Sequence, residues 1–159
     1  MNYDKEMKMN NVEFGDMPPQ AFLLGLLSAF DNRYQAAADA FFKEITWKQF
    51  FTIICINLCK EAPTINELSD VMGSSHQNVK QILLKLEKKG FISMLHDEKD
   101  KRKQRIVVTD AARIFLEEND NNGQQSRYII GRIFEGISEK DLKTTIKTIM
   151  KMERNLSEL

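Results

Sequence analysis

Covalent cross-links play no part in holding this chain together. Its 159 residues include only two cysteines, Cys55 and Cys59, four apart. That count rules out a disulfide scaffold and makes the cytoplasm the default compartment. Long apolar runs are also missing. The longest mostly apolar stretch, Phe22 to Phe30, falls far short of the roughly 20 residues that span a bilayer, so no membrane partner is expected, and no targeting signal is visible. Enzyme chemistry finds no foothold: there is no Gly-rich phosphate loop, no metal-ligand spacing, and no Ser or Cys in a nucleophile context. The two histidines, His76 and His96, are too widely separated along the chain to form a metal site with the cysteines. No cofactor, metal or catalytic residue is expected.

A formal net charge of zero excludes a general polyanion sponge, but the charges are unevenly spread. Residues 76–105 hold nine Lys/Arg against four Asp/Glu, residues 1–75 six against ten, and residues 106–159 eight against nine. A local basic patch on a neutral or acidic body suits a site-directed nucleic-acid binder, because attraction to phosphate decays within about 8–10 Å at physiological salt.

The segment carrying that patch reads as helix, tight turn, helix and hairpin. Thr64-Ile65-Asn66-Glu67 is a capping box opening a first helix, with Ile65, Leu68 and Val71 on its apolar face. Gly73 ends that helix, Ser75 caps the next, and Val79, Ile82, Leu83 and Leu86 recur at i, i+3, i+4, i+7. Gly90 closes the second helix, and Phe91 to Val108 has β-branched runs around a charged turn. This order predicts a winged helix-turn-helix, mainly α with a small β-hairpin wing, in which the second helix enters the DNA major groove.

Helices are expected on both flanks. Residues 1–16 read as a loose tail and 17–45 as a dimerisation helix that starts at Pro18-Pro19, with Phe22, Leu26, Phe30, Tyr34, Ala37 and Phe41 in one stripe. Residues 46–109 form the winged helix, opening on a helix capped by Thr46 with Trp47, Phe51, Ile54 and Leu58 inward. Residues 110–159 form C-terminal dimerisation helices. Thr109 is expected to cap the first and Ser138 the last, and the polar run 117–126 between them is either a kink or a break. Terminal helices whose apolar faces one domain cannot cover predict a homodimer.

Trp47-Lys48-Gln49-Phe50, Glu67-Leu68-Ser69, Val79 through Leu86-Glu87-Lys88-Lys89-Gly90-Phe91-Ile92, Asp97-Glu98-Lys99-Asp100-Lys101-Arg102 and Val108-Thr109 together resemble the multiple-antibiotic-resistance regulator (MarR) family. The likeness covers roughly residues 45 to 113 by motif and the flanks by helix order. It implies a homodimer with two winged helices on palindromic DNA, usually a repressor, often responsive to small compounds or oxidants. The chain departs from the family pattern at Ser93-Met94, at Ala112 and at Ser75-His76-Gln77-Asn78, which puts its target sequence beyond the analogy.

The expected DNA contacts fall in two places. Ser75, His76, Gln77, Asn78, Lys80 and Gln81 occupy the first turns of the second helix, the part that reaches base edges. At the wing, Arg102 is expected in the minor groove, held, as the resemblance implies, by Asp100. Lys99, Lys101, Lys103 and Arg105 are expected to neutralise phosphates. The target is then double-stranded DNA carrying an inverted repeat. The resemblance also places a cleft for a small aromatic or apolar effector on Phe22, Leu26, Phe30, Trp47, Phe50 and Ile54. Two alternatives stay open: a winged helix that docks proteins without specific DNA binding, and a regulator sensing oxidants through Cys55 or Cys59.

Overall fold

The computed structural model describes residues 15–40, 44–97, 100, 102–120 and 123–159. Most of the expected tail, Phe41, Lys99 and Lys101 lie outside the described residues. The elements run α1 (Pro19–Asp39), α2 (Trp47–Leu58), α3 (Ile65–Met72), α4 (His76–Lys88), β1 (Ile92–His96), β2 (Gln104–Val108), α5 (Asp110–Asp120), α6 (Gly123–Ile133) and α7 (Glu139–Leu156). The chain divides into two compact units, Met1–Thr109 and Asp110–Leu159.

In the first unit the local signals act as the sequence suggests. Thr46 and Thr64 each close a full capping box, with Gln49 and Glu67 reaching back, and the Ser75 hydroxyl accepts from the Asn78 N–H at 3.3 Å. Gly73 adopts φ +58° at the end of α3, and the Ser74 N–H bonds back to the Ser69 carbonyl at 3.1 Å. This left-handed ending lets two helices meet in a tight turn that a side chain at Gly73 would strain. Gly90 repeats the device after α4, at φ +75°, with the Phe91 N–H on the Leu86 carbonyl at 3.0 Å.

The core is built from Ile53, Leu68, Val79, Leu83, Leu86, Ile92 and Ile106, each 2% exposed or less. Burying each such side chain contributes about 1.5–3 kcal/mol. Strands β1 and β2 pair antiparallel, Ile92 opposite Val108 and His96 opposite Gln104. The Ile106 N–H also donates to the Pro63 carbonyl at 2.9 Å, which ties the wing to the segment before α3.

Two faces differ from expectation. In α2 the buried set is Gln49, Thr52, Ile53, Cys55 and Ile56, whereas Trp47, Phe51 and Ile54 are half-buried and Leu58 is exposed. This helix is apolar around most of its circumference, so periodicity alone cannot set its phase. Its buried polar groups are satisfied locally: the Thr52 hydroxyl donates to the Lys48 carbonyl at 2.7 Å, and Gln49 serves the capping box. In α3 Val71 is 51% exposed and the buried pair is Leu68 and Ser69. Positions 65, 68, 69 and 72 share one helical stripe, and Val71, six residues after Ile65, lies off it.

Helix α1 begins at Pro19 behind Pro18, and no residue along it is buried. In the second unit the described residues form α5 up to Asp120 and α6 from Gly123, and Asn121 and Asn122, where the kink-or-break expectation falls, lie outside the described residues. Ser138 caps α7 through the Asp141 N–H, and none of that helix is buried either. Among the described residues no helix is long and apolar enough to cross a membrane.

Candidate nucleic-acid interface

The first turns of α4 present a polar surface. His76, Gln77, Lys80 and Gln81 are exposed, while Val79, Ile82 and Leu83 point into the core. The Ser75 oxygen is engaged as the helix cap, and the exposed Asn78 donates its side-chain amide to the Ser74 hydroxyl at 2.8 Å. Those two polar groups therefore already have partners within the turn.

At the wing tip Asp100 grips Arg102 through two guanidinium nitrogens. Arg102 Nε lies 3.1 Å from Asp100 Oδ1 and Nη2 3.4 Å from Oδ2, and the Arg102 N–H donates to Oδ1 at 3.1 Å. The Arg102 side chain is 91% exposed, so its charge stands in solvent with its direction set by the carboxylate. Lys103 is exposed beside it. Arg105 does something else. Its Nε lies 2.6 Å from Asp97 Oδ2, and its Nη1 donates to the Ala62 carbonyl at 3.1 Å and to Glu67 Oε2 at 3.2 Å. A guanidinium with three protein acceptors, on a side chain only 29% exposed, is a strut rather than a free cation. The sequence shows a basic residue at this position of β2, but not that a carboxylate distant along the chain lies within reach.

Two carboxylates of this region titrate low. The Thr64 N–H, then its hydroxyl, holds Glu67 below the ordinary carboxylate range, and the Arg105 and Lys103 charges add to this. The Arg102 guanidinium, then its N–H, does the same for Asp100. Lowered carboxylates stabilise the fold above the ordinary range, and that contribution is lost as pH falls through their folded values. Melting temperature should therefore hold steady from neutral pH to about 5 and decline below about 4. Glu67→Gln, which still accepts the Thr64 N–H, should show a shallower acid decline, and an unchanged acid limb would contradict this account.

A cavity of about 400 Å³ opens between α1, α2 and the turn before α4, lined by Asp31, Tyr34, Gln35, Trp47, Phe51 and Asn78 among others. The Trp47 ring meets Tyr34 edge-on with centroids 4.8 Å apart. Gln35 donates to Asp31, and burial pushes the Tyr34 hydroxyl up. Of the six residues expected around a cleft, only Trp47 lines this cavity. Phe22, Leu26, Phe50 and Ile54 are half-buried, and Phe30 is 51% exposed, stacked on Tyr34. The hollow forms at the C-terminal half of α1, where the polar flank of Asp31 and Gln35 lines it together with the Gly73-Ser74 turn. The sequence signal for it is this i, i+4 polar pair flanking Tyr34, overshadowed by the aromatic stripe.

Both cysteines are free thiols. Cys55 is 2% exposed, and burial, reinforced by Cys59, pushes its thiol up, while the Cys59 thiol donates to the Cys55 carbonyl at 3.3 Å. Among the described residues no group of three or more His, Cys, Asp or Glu could hold a metal ion.

Comparison with known proteins places this geometry. A MarR protein from Peptoclostridium difficile has a similar structure, with 18% identity over 94% of this chain and 95% of that one and a TM-score of 0.77. The S. aureus MepR–DNA complex is similar at 19% identity, covering 82% and 95%, with a TM-score of 0.68. Bordetella bronchiseptica BpsR, whose DNA binding is regulated by 6-hydroxynicotinic acid, is similar at 18% identity, covering 87% and 97%, with a TM-score of 0.70. At such identities the likeness establishes the fold. Residues 45–103 match the MarR family model, the span that holds α2 to α4 and reaches through β1 to the wing tip, and the chain has the winged helix-turn-helix fold of these similar structures.

Proposed function

We propose that this protein is a sequence-specific double-stranded DNA-binding transcriptional regulator, a cytoplasmic repressor released by a small effector. The observation that carries this reading is the wing tip: an exposed arginine, oriented by a carboxylate, on the same unit as an N-capped helix whose first turns are polar and exposed. His76, Gln77, Asn78, Lys80 and Gln81 meet base edges and phosphates in the major groove, with Ser75 as the cap that fixes their turn. Arg102 enters the minor groove, aimed by Asp100. Lys99, Lys101 and Lys103 neutralise phosphates and set the salt dependence without reading sequence. The DNA-bound MepR structure, which shares the fold, supports this direction. A protein-docking winged helix would have no use for a carboxylate-oriented cation at the hairpin tip.

The regulator acts as a homodimer closed by residues 17–45 and 110–159. Helix α7 is amphipathic and α1 is rich in apolar residues, yet neither has a buried residue, and Leu24, Phe30, Ile146 and Met150 are exposed by roughly half or more. A second copy is the simplest cover for such faces. Two recognition helices then meet half-sites about one helical turn apart, about 10 bp. Selection from random duplexes should enrich an inverted repeat, and light scattering should show twice the 18.5 kDa chain mass. Enrichment of no motif would transfer the protein to the docking class, and an 18.5 kDa particle would remove the dimer.

The effector site is the cavity on Tyr34, Trp47 and Phe51, which reaches Ser74 and Asn78 of the helix-turn-helix. A small aromatic bound there acts only through its differential affinity for DNA-competent and DNA-incompetent forms. Trp47 is the sole tryptophan of the chain, so its emission reports occupancy. Benzoate and 6-hydroxynicotinic acid serve as first probes. A compound that shifts Trp47 emission saturably should also lower DNA affinity over the same concentrations. Emission shifts without any change in DNA binding would make the cavity a passive hole. Oxidant sensing is the weaker reading, because a buried thiol pushed up by its surroundings holds little of the reactive thiolate.

A further inference from the structure

The strut at Arg105 and the exposed Arg102 belong to one hydrogen-bonded chain. It starts at the cap of α3, where the Thr64 N–H and hydroxyl donate to Glu67 Oε2 at 2.7 and 3.0 Å. The same oxygen accepts Arg105 Nη1 at 3.2 Å, and Arg105 Nε reaches Asp97 Oδ2 at 2.6 Å. The other oxygen, Asp97 Oδ1, accepts the Asp100 N–H at 2.8 Å, and the Asp100 carboxylate holds Arg102. The Asp97 side chain is only 10% exposed, so the middle of this chain is shielded from competing water. Backbone bonds from Asp97 N–H to the Lys103 carbonyl (3.0 Å) and from Lys103 N–H to the Asp100 carbonyl (2.8 Å) close the turn around it.

We propose that Arg105 and Asp97 are positioning residues that aim Arg102, so that the direction of the wing-tip cation is referenced to the cap of the first helix-turn-helix helix rather than to the hairpin alone. This rests on the reading that Arg102 contacts DNA. The buried Ile92, Ile106 and Val108 and the Ile106–Pro63 bond seat the base of the hairpin, but they leave the tip beyond His96 and Gln104 able to swing on that base. Arg105, as a fork that engages Asp97 through Nε and both Ala62 and Glu67 through Nη1, opposes that swing. Lysine, a single ammonium point, cannot reproduce the fork. Asp97 then transmits the position, because one carboxylate takes the guanidinium on one oxygen and the backbone of Asp100 on the other. Arg105 so placed adds nothing to phosphate neutralisation.

The test is a double-mutant cycle on the full chain with a duplex taken from the selection, measuring affinity by anisotropy across a salt series, alongside melting temperature. Arg105→Gln should weaken binding about 10-fold, in the range for groups sharing one network, with the salt slope unchanged. In an Arg102→Ala background the same change should cost less than about 2-fold. Asp97→Asn should behave like Arg105→Gln in both backgrounds, and Arg105→Lys should recover only part of the loss. Equal losses in both backgrounds would overturn the relay. So would a salt slope that falls by about one on losing Arg105, the mark of a direct phosphate contact. If Arg102→Ala itself costs nothing, the wing-contact reading falls, and the relay with it.

Discussion

Leu83→Ala should lower the stability of the protein by about 2–5 kcal/mol, the range for deleting a fully buried leucine and leaving a cavity. Leu83 is 0% exposed at the centre of α4, a helix that packs on α2, α3 and β1. Ile53, Leu68 and Leu86 are equally buried around that core, so there is no surface from which the structure can collapse into the vacated space. Total stabilities run about 5–15 kcal/mol, so this one change removes a large share. Denaturant unfolding should show a lower midpoint at unchanged slope. The neighbouring Leu84, 42% exposed, is the internal control, and its replacement by alanine should stay within about 0.5 kcal/mol. A loss below about 1 kcal/mol at Leu83 would mean that α4 is not seated as described.

Arg102→Ala should cost about 1–3 kcal/mol of specific DNA affinity, roughly 5- to 150-fold, with at most a small drop in melting temperature. The expectation follows from its setting. A side chain 91% exposed contributes little to folding, and a surface ion pair with Asp100 is worth about 0–1 kcal/mol at most. The order that Asp100 imposes is therefore of use mainly to a partner, which meets a guanidinium already oriented. The loss should concentrate on the selected sequence and be smaller on random duplex, because minor-groove width and potential depend on sequence. Lys103→Ala is the contrast: it should weaken all duplexes alike and reduce the salt slope by about one. Equal weakening of specific and random DNA by Arg102→Ala would demote it to a phosphate contact. No weakening at all would remove the wing from the interface.

Several features are legible in the amino-acid sequence alone. The box Thr64–Glu67, the Thr46, Ser75 and Ser138 caps and the left-handed Gly73 and Gly90 all stand where the chain announces them. Each is decided within a few residues by steric limits and by the need of helix ends for hydrogen-bond partners, so the sequence by itself determines it. The apolar stripe of α4 belongs to the same class, because a strongly one-sided helix has only one face to bury.

Other features depend on distant parts of the chain. Helix α2 is apolar on two sides, and only the arrival of α3, α4 and β2 selects Gln49, Thr52, Ile53 and Ile56 as the inner face over Trp47, Ile54 and Leu58. The cavity lies at Asp31, Tyr34 and Gln35 rather than along the Phe22–Leu26 stripe, because a hollow is defined by where three elements fail to fill space together. Arg105 reads in the sequence as one more basic residue of a basic hairpin. Its partners Glu67 and Ala62 lie 38 and 43 residues away. Local propensity carries no information about such a meeting: the tertiary packing of the wing against the start of α3 brings the charge to its acceptors, and only then can burial favour the strut over a free cation.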